Sequence, residues 1–200
     1  IIDLEEGIEY DFWKLTLNTA TARWEATNAG IMHDIYNSDG TMNRLAVWNS
    51  ATATHLPLAG GTIMLHELQA GVIPHALAIA ILRPKKYPAL VPPAKTTDGW
   101  YDSPNAIPEG TILRFPQDIV IQDVWTPITK ILVTAIRDYG MVVMDKTGAG
   151  VSFYLEDPRQ YGLDQSVLVP FYLAKPGYKI FGDKNNLNPE FPWNQLLTLA

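Results

Sequence analysis

The residues able to do chemistry fall into three groups: four histidines, a set of carboxylates beside a long loop, and six tryptophans. The histidines are His33, His55, His66 and His75, separated by 22, 11 and 9 residues. Those separations match no metal-ligand spacing. His66-Glu67 begins like a zinc-protease motif, but Leu68-Gln69-Ala70 supplies no second histidine. Cysteine is absent, which removes disulfides, thiolate metal sites and thiol nucleophiles. No nucleophile elbow, phosphate-binding loop or dinucleotide fingerprint is present, so no metal or cofactor is expected.

His75 opens an apolar segment behind Pro74. A buried imidazole needs partners for both nitrogens, which is a structural role. At the edge of a cleft it would serve as a general base. A polysaccharide lyase divides its work among such groups. A base takes the proton α to a uronate carboxylate, a tyrosine protonates the leaving oxygen, and an arginine neutralises the carboxylate. His75, Tyr101, Arg83 and Arg114 are the residues that could fill those roles. Hydrolysis of a glycosidic bond needs instead two carboxyl groups roughly 5–5.5 Å apart, or further apart for inversion. Asp98, Asp102 and Glu109 are the candidates, although Asp98-Gly99 is also an ordinary turn dipeptide. Aromatic faces stack on sugar rings, so Trp100 and Tyr101, adjacent in a loop, are the foremost binding candidates, with Trp48, His55 and Arg114 beside them. Trp13 and Trp24 read as core residues. Arg83, Lys85 and Lys86 form a short basic cluster suited to an acidic glycan or simply to solvent.

The elements that must position these groups are mostly strands. Tyr10–Leu17 and Thr21–Thr27 alternate at period two and read as a hairpin turning at Asn18-Thr19, with Asp11, Trp13, Leu15 and Leu17 on one face. Gly30–Tyr36 is a possible third strand, ended by the turn signal Asn37–Gly40. Val47–Pro57 shows little periodicity and reads as an irregular crossing segment. Leu65–Ala70 is a short helix stopped at Gly71, with His66 and Glu67 expected on its wet face. In Pro74–Arg83 one face carries His75, Leu77, Ile79, Ile81 and Arg83, the other Ala76, Ala78, Ala80 and Leu82. A strand apolar on both faces is a central one.

Pro84–Pro108 holds six of the fifteen prolines and is a long loop; loops beyond about 12–15 residues are usually functional or disordered. Thr111–Phe115 reads as a strand. Thr126–Tyr139 is the strongest helix, with Thr126 as N-cap, Pro127 at the first position and Gly140 beyond its end. Met141–Asp145 and Val151–Glu156 read as a hairpin. A short helix over Pro192–Leu199 and a turn over Lys184–Pro189 are expected near the end. Strands and helices do not alternate, which argues against a doubly wound parallel sheet. The expectation is a mostly β single domain over 1–200: a β-sandwich or jelly roll with one long accessory helix and long proline-rich loops.

Composition narrows the class. The 200 residues carry 15 basic and 21 acidic side chains, a formal charge of −6, and 47% are hydrophobic against 18% charged. That balance supports a folded domain and argues against nucleic acid as a partner. The longest apolar run, Ala76–Leu82, is far short of the ~20 residues that cross a membrane, so no membrane insertion is expected. Ile1 in place of Met reads as the start of a processed chain or of a piece with neighbouring domains. Low charge and six tryptophans lean towards an extracellular protein, while the absence of cysteine fits a reducing cytosol or a bacterial exterior alike.

Three stretches, Ser50–Ile81, Asp98–Phe115 and Ile128–Asp157, together resemble an uncharacterised family of secreted bacterial domains. The resemblance implies an exported, often multidomain protein acting on or near polysaccharide, and transfers no catalytic residue. Relatives carry Gly and Ser near Thr54 and His55; this chain departs there, so a role for His55 would be its own. Three functions follow as expectations: a secreted glycoside hydrolase or lyase working beside the strand His75–Arg83, a non-catalytic carbohydrate-binding or cell-surface module, and a structural subunit of an extracellular assembly.

Overall fold

Strand β6 (Leu77–Ile81) is buried along its whole length, as a segment apolar on both faces must be. It lies inside a five-stranded mixed sheet with β7 (Ile112–Arg114), β8 (Met141–Lys146), β9 (Val151–Phe153) and β10 (Leu197–Leu199), in the order β10-β7-β8-β6-β9. The computed structural model describes residues 1–38, 40, 42, 50–148, 150–164 and 191–199. The chain is mostly β, with 28% strand and 17% helix.

The large face of β6 makes the core. Leu77 and Ile79 pack with Leu113, Phe115, Met141, Val143 and Phe153 beneath helix α2 (Pro127–Asp138). The helix presents Ile128, Leu132, Ala135 and Ile136, all buried, at the spacing of one helical stripe. Thr126 caps it by accepting the Thr129 amide at 3.2 Å, and Pro127 takes the first turn. Arg114, expected to bind substrate, closes the other end. Its guanidinium donates to the carbonyls of Arg137 and Asp138 at 2.7 and 3.0 Å.

The small face of β6 faces a different layer. Ala78 packs with Leu56 and Met144, and Gly61 comes so close that a Cβ there would stand 2.5 Å from the Ala78 amide nitrogen. Buried hydroxyls shape this layer: Thr52 donates to Leu56 O at 2.8 Å and Thr54 to Met144 O at 3.1 Å.

The chain's first part forms separate sheets. A three-stranded sheet has the order β1 (Ile2–Asp3), β2 (Ile8–Trp13), β5 (Asn28–His33), all antiparallel. Between β2 and β5, β3 (Thr16–Asn18) and β4 (Arg23–Glu25) make a two-stranded ribbon, mostly exposed. The expected hairpin is thus divided: Ile8–Trp13 pairs with Asn28–His33, and only Thr16–Asn18 and Arg23–Glu25 pair with each other, across residues 19–22 rather than at Asn18-Thr19. Lys14, at φ 56°, breaks the pleat after Trp13, and the alternation does not carry through. Trp13 and Trp24 are 47% and 66% exposed, which corrects their assignment to the core. Glu9 and Asp11 point inward instead, and accept the amides of Ala59 and Leu58 at 3.0 and 2.9 Å.

Two further expectations are corrected. β8 and β9 do not pair with each other. β6 lies between them, parallel to β8 and antiparallel to β9. The segment after Pro192 forms a single 3-10 turn, Trp193–Gln195, followed by β10 on the edge of the sheet. Helix α1 (Leu65–Ala70) ends at Gly71 in the left-handed region, as the sequence reads, yet Glu67 is buried rather than wet. The turn expected over Lys184–Pro189 lies outside the described residues. Among the described residues no helix is long and apolar enough to cross a membrane.

Candidate functional site

A cleft of about 390 Å³ opens between the three-stranded sheet and the five-stranded sheet. Trp13 and Asn28 line one side, the segment 50–55 another, and Thr97, Asp98, Asp145 and Lys146 a third. Behind it stands Glu109, which is fully buried. Carboxylate oxygens of Asp98, Glu109 and Asp145 all lie within 4.8 Å of one another.

Local structure explains how three residues distant in sequence meet. Asp98 sits where the proline-rich loop doubles back on itself. Lys86 and Tyr87 donate to the carbonyls of Tyr101 and Gly99 at 3.1 and 3.0 Å. The return is tight, because a Cβ on Gly99 would lie 1.9 Å from Lys85 O, so no other residue fits beside Asp98. Gly110 plays the same part beside Glu109. Its φ is 89°, a Cβ there would lie 1.8 Å from Val91 O, and its amide donates to Val143 O at 2.8 Å. That bond fastens the loop to β8 next to Asp145.

Asp145 itself is aimed by an irregularity in β8. The register runs Ile79 with Val143 and then Ala80 with Asp145, so one extra residue is accommodated at Met144. Met141 and Val143 face the core. Unbroken alternation would send Asp145 there too. The bulge turns it to the side of Ala80, where the Ala53 amide and its neighbour's Lys146 amide, at 2.8 Å, donate to it.

Electrostatics follow from burial and crowding. Glu109 is raised from 4.5 to about 7, first by desolvation and further by Asp98; the Thr97 hydroxyl and the Asp98 amide act the other way. Asp145 is raised from 3.8 to about 6 by burial, with Asp98 adding to it and the amides and Lys146 opposing. Burial also pushes the Tyr154 phenol above its ordinary value, and Asp145, its hydrogen-bond partner, adds to that shift. Lys146 Nζ stands 2.8 Å from Asp98 Oδ2. Two carboxylate oxygens remain buried without a hydrogen-bond partner, Asp98 Oδ1 and Glu109 Oε1.

Of the residues singled out from sequence, Asp98 and Glu109 belong to this cluster and His55 lines the cleft at φ 61°. The quartet considered for lyase chemistry is not assembled. His75 is engaged at both nitrogens, by Glu67 at 3.0 Å and by Ala76 O at 2.8 Å. Arg83 lies over the Tyr101 ring at 5.1 Å, and Arg114 caps α2. Asp102 pairs with Lys86 at 3.1 Å in solvent. Trp100 is 54% exposed, edge-on to Tyr101, and neither lines the cleft. Trp48 lies outside the described residues. Sequence reasoning missed Asp145, Lys146, Tyr154 and the cleft role of Trp13. No sequence signal marks the first: Asp145 follows the apolar run Met141–Met144, and strict alternation along β8 places it in the core.

Comparison with family models, with curated proteins and with solved structures finds no match.

Proposed function

We propose that this domain engages polysaccharide in the cleft between its two larger sheets. The observation that carries the reading is the joint placement of Trp13, half-exposed, and the carboxylates Asp98 and Asp145 on one cleft. An indole face takes the apolar C–H side of a sugar ring, and carboxylates accept its hydroxyls. Asn28, Thr52 and Lys146 add polar groups at the same surface. The resemblance of three stretches to secreted bacterial domains supports an exported protein, and the sandwich-like stacking expected from sequence would set Trp13 on one sheet's wall and Asp145 on the other's. The Glu9 and Asp11 bonds to Ala59 and Leu58 support that stacking.

Hydrolysis is a second reading, favoured by the raised Glu109 and Asp145 carboxyls. A protonated carboxyl beside an ionised one is the pairing acid–base cleavage needs. Of the two, only Asp145 lines the cleft; Glu109 stands fully buried behind it, so Asp145 with Asp98 would face the glycosidic bond.

The test is retention of the purified chain on insoluble neutral and uronic glycans, with reducing ends and unsaturated products assayed together. Retention that falls in Trp13→Ala and Asp145→Asn variants of native melting behaviour is the expected result. Reducing ends would establish hydrolysis. No retention and no product on any glycan would overturn the proposal.

A further inference from the structure

Glu109 poses a problem that glycan contact does not answer. It is fully buried, its Oε2 accepts the Asp98 amide at 3.2 Å, and its Oε1 meets no donor. Asp98 presents a second buried, donorless oxygen, Oδ1, while its Oδ2 is held by Lys146. Removing a carboxylate oxygen from water without a partner is costly, and crowding three such groups compounds the cost. Lys146 is the cation that the structure pairs with the cluster. Were all three ionised, the cluster would carry two negative charges that Lys146 does not offset.

We infer that Asp98, Glu109 and Asp145 form a divalent-cation site, best suited to calcium, whose remaining coordination positions open into the cleft. The donor set is all oxygen, which suits a hard cation. Oxygens on opposite sides of a calcium ion stand about 4.8 Å apart and those around magnesium about 4.1 Å, and the trio's oxygens lie within 4.8 Å. Three carboxylates leave several of calcium's 6–8 positions for water or for paired hydroxyls of a sugar. That last step rests on the polysaccharide reading; the cation site does not.

Asp145 and Asp98 supply the open side, since both line the cleft, and Glu109 closes the rear. The bulge in β8 and the close approaches at Gly99 and Gly110 fix the three side chains on separate, mutually bonded backbones. A rigid frame of this kind suits a bound ion better than a set of solvated turn residues.

The test is calorimetric titration of the full chain with CaCl2 and MgCl2 after chelator treatment, with melting temperature recorded in parallel. Calcium is expected to bind and to raise the melting temperature, with magnesium weaker. Glu109→Gln should lose at least tenfold in calcium affinity. Asp98→Asn, at a more exposed position, should lose affinity as well and keeps the test valid if the buried variant fails to fold. No heat and no melting shift at millimolar calcium or magnesium would overturn the site, as would unchanged affinity in a folded Asp98→Asn or Glu109→Gln chain. Glycan retention indifferent to chelator in a chain that binds no calcium would sink the cation site and leave the polysaccharide reading standing. Calcium binding with no retention on any glycan would do the reverse.

Discussion

Glu109 accepts the backbone amide of Asp98 at 3.2 Å with one carboxylate oxygen and faces the Asp98 side chain with no donor for the other. The same residue therefore fixes the loop that carries Asp98 and loads the site with charge. Loss of its charge should relieve the electrostatic burden while keeping the shape. Glu109→Gln is expected to match or exceed the parent's melting temperature at pH 8 without calcium, which differential scanning calorimetry reads directly. A chain destabilised at pH 8 by that change would show that the carboxylate is needed for structure rather than for a ligand.

The direction of the pH dependence follows from four raised carboxyls, Asp11 among them, which burial also pushes up. Glu109 and Glu9 move from 4.5 to about 7, and Asp145 from 3.8 to about 6, all chiefly through burial. The folded chain holds these protons more tightly than the unfolded one. Their effect is neutral below the unfolded values and becomes destabilising as pH rises through the folded ones. Glu109, Glu9 and Asp145 each contribute on the order of 1–3 kcal/mol across that window. The melting temperature should therefore fall between pH 5 and pH 8, and calcium should flatten the decline. A melting temperature that climbs steadily over the same interval would contradict this.

Trp13 and Trp100 are both exposed indoles, but only Trp13 lines the cleft. Trp13→Ala should weaken glycan retention severalfold, and Trp100→Ala should leave it within twofold, as measured by affinity electrophoresis. The reverse ranking would move the binding surface to the loop beside Tyr101.

Glu9 and Asp11 fasten the three-stranded sheet to Leu58 and Ala59, which follow the cleft-lining segment 50–55. Asp11→Ala leaves the Leu58 amide without its acceptor, at a cost of about 1–3 kcal/mol. Urea unfolding should show the lowered midpoint, and amide exchange should quicken at Leu58. Unchanged exchange there would mean the clasp is not what joins the two parts.

His75→Ala should lower stability while sparing retention in the folded chain, because the imidazole bridges Glu67 and Ala76 O away from the cleft. The urea midpoint and a retention assay on one preparation separate the two effects. Loss of retention at unchanged stability would return His75 to the functional list.

Much of the scaffold could be read from residues alone. Helix α2 announces itself through Thr126, Pro127 and its apolar stripe, and β6 through apolar residues on both faces. The failures have physical causes. β8 and β9 look like a hairpin because they are adjacent in sequence. Leu82 and Thr147, bonded to Gly150 O and Ile81 O, show β6 occupying the place between them. Trp13 reads as a core residue because large aromatics usually pack inward, yet it is the last residue of β2 and stands at the cleft. Asp98 and Glu109 could be named as carboxylates near one loop. Their third partner could not, since simple alternation sends Asp145 into the core and only the bulge brings it out.

Retention of the purified chain on an insoluble glycan, measured with calcium and again with chelator, addresses the central claim most directly. Retention in calcium is expected to fall at least tenfold with chelator and to be missing in a folded Asp145→Asn chain. Absence of retention on every neutral and uronic glycan, in a chain that is folded and calcium-loaded, would contradict the claim.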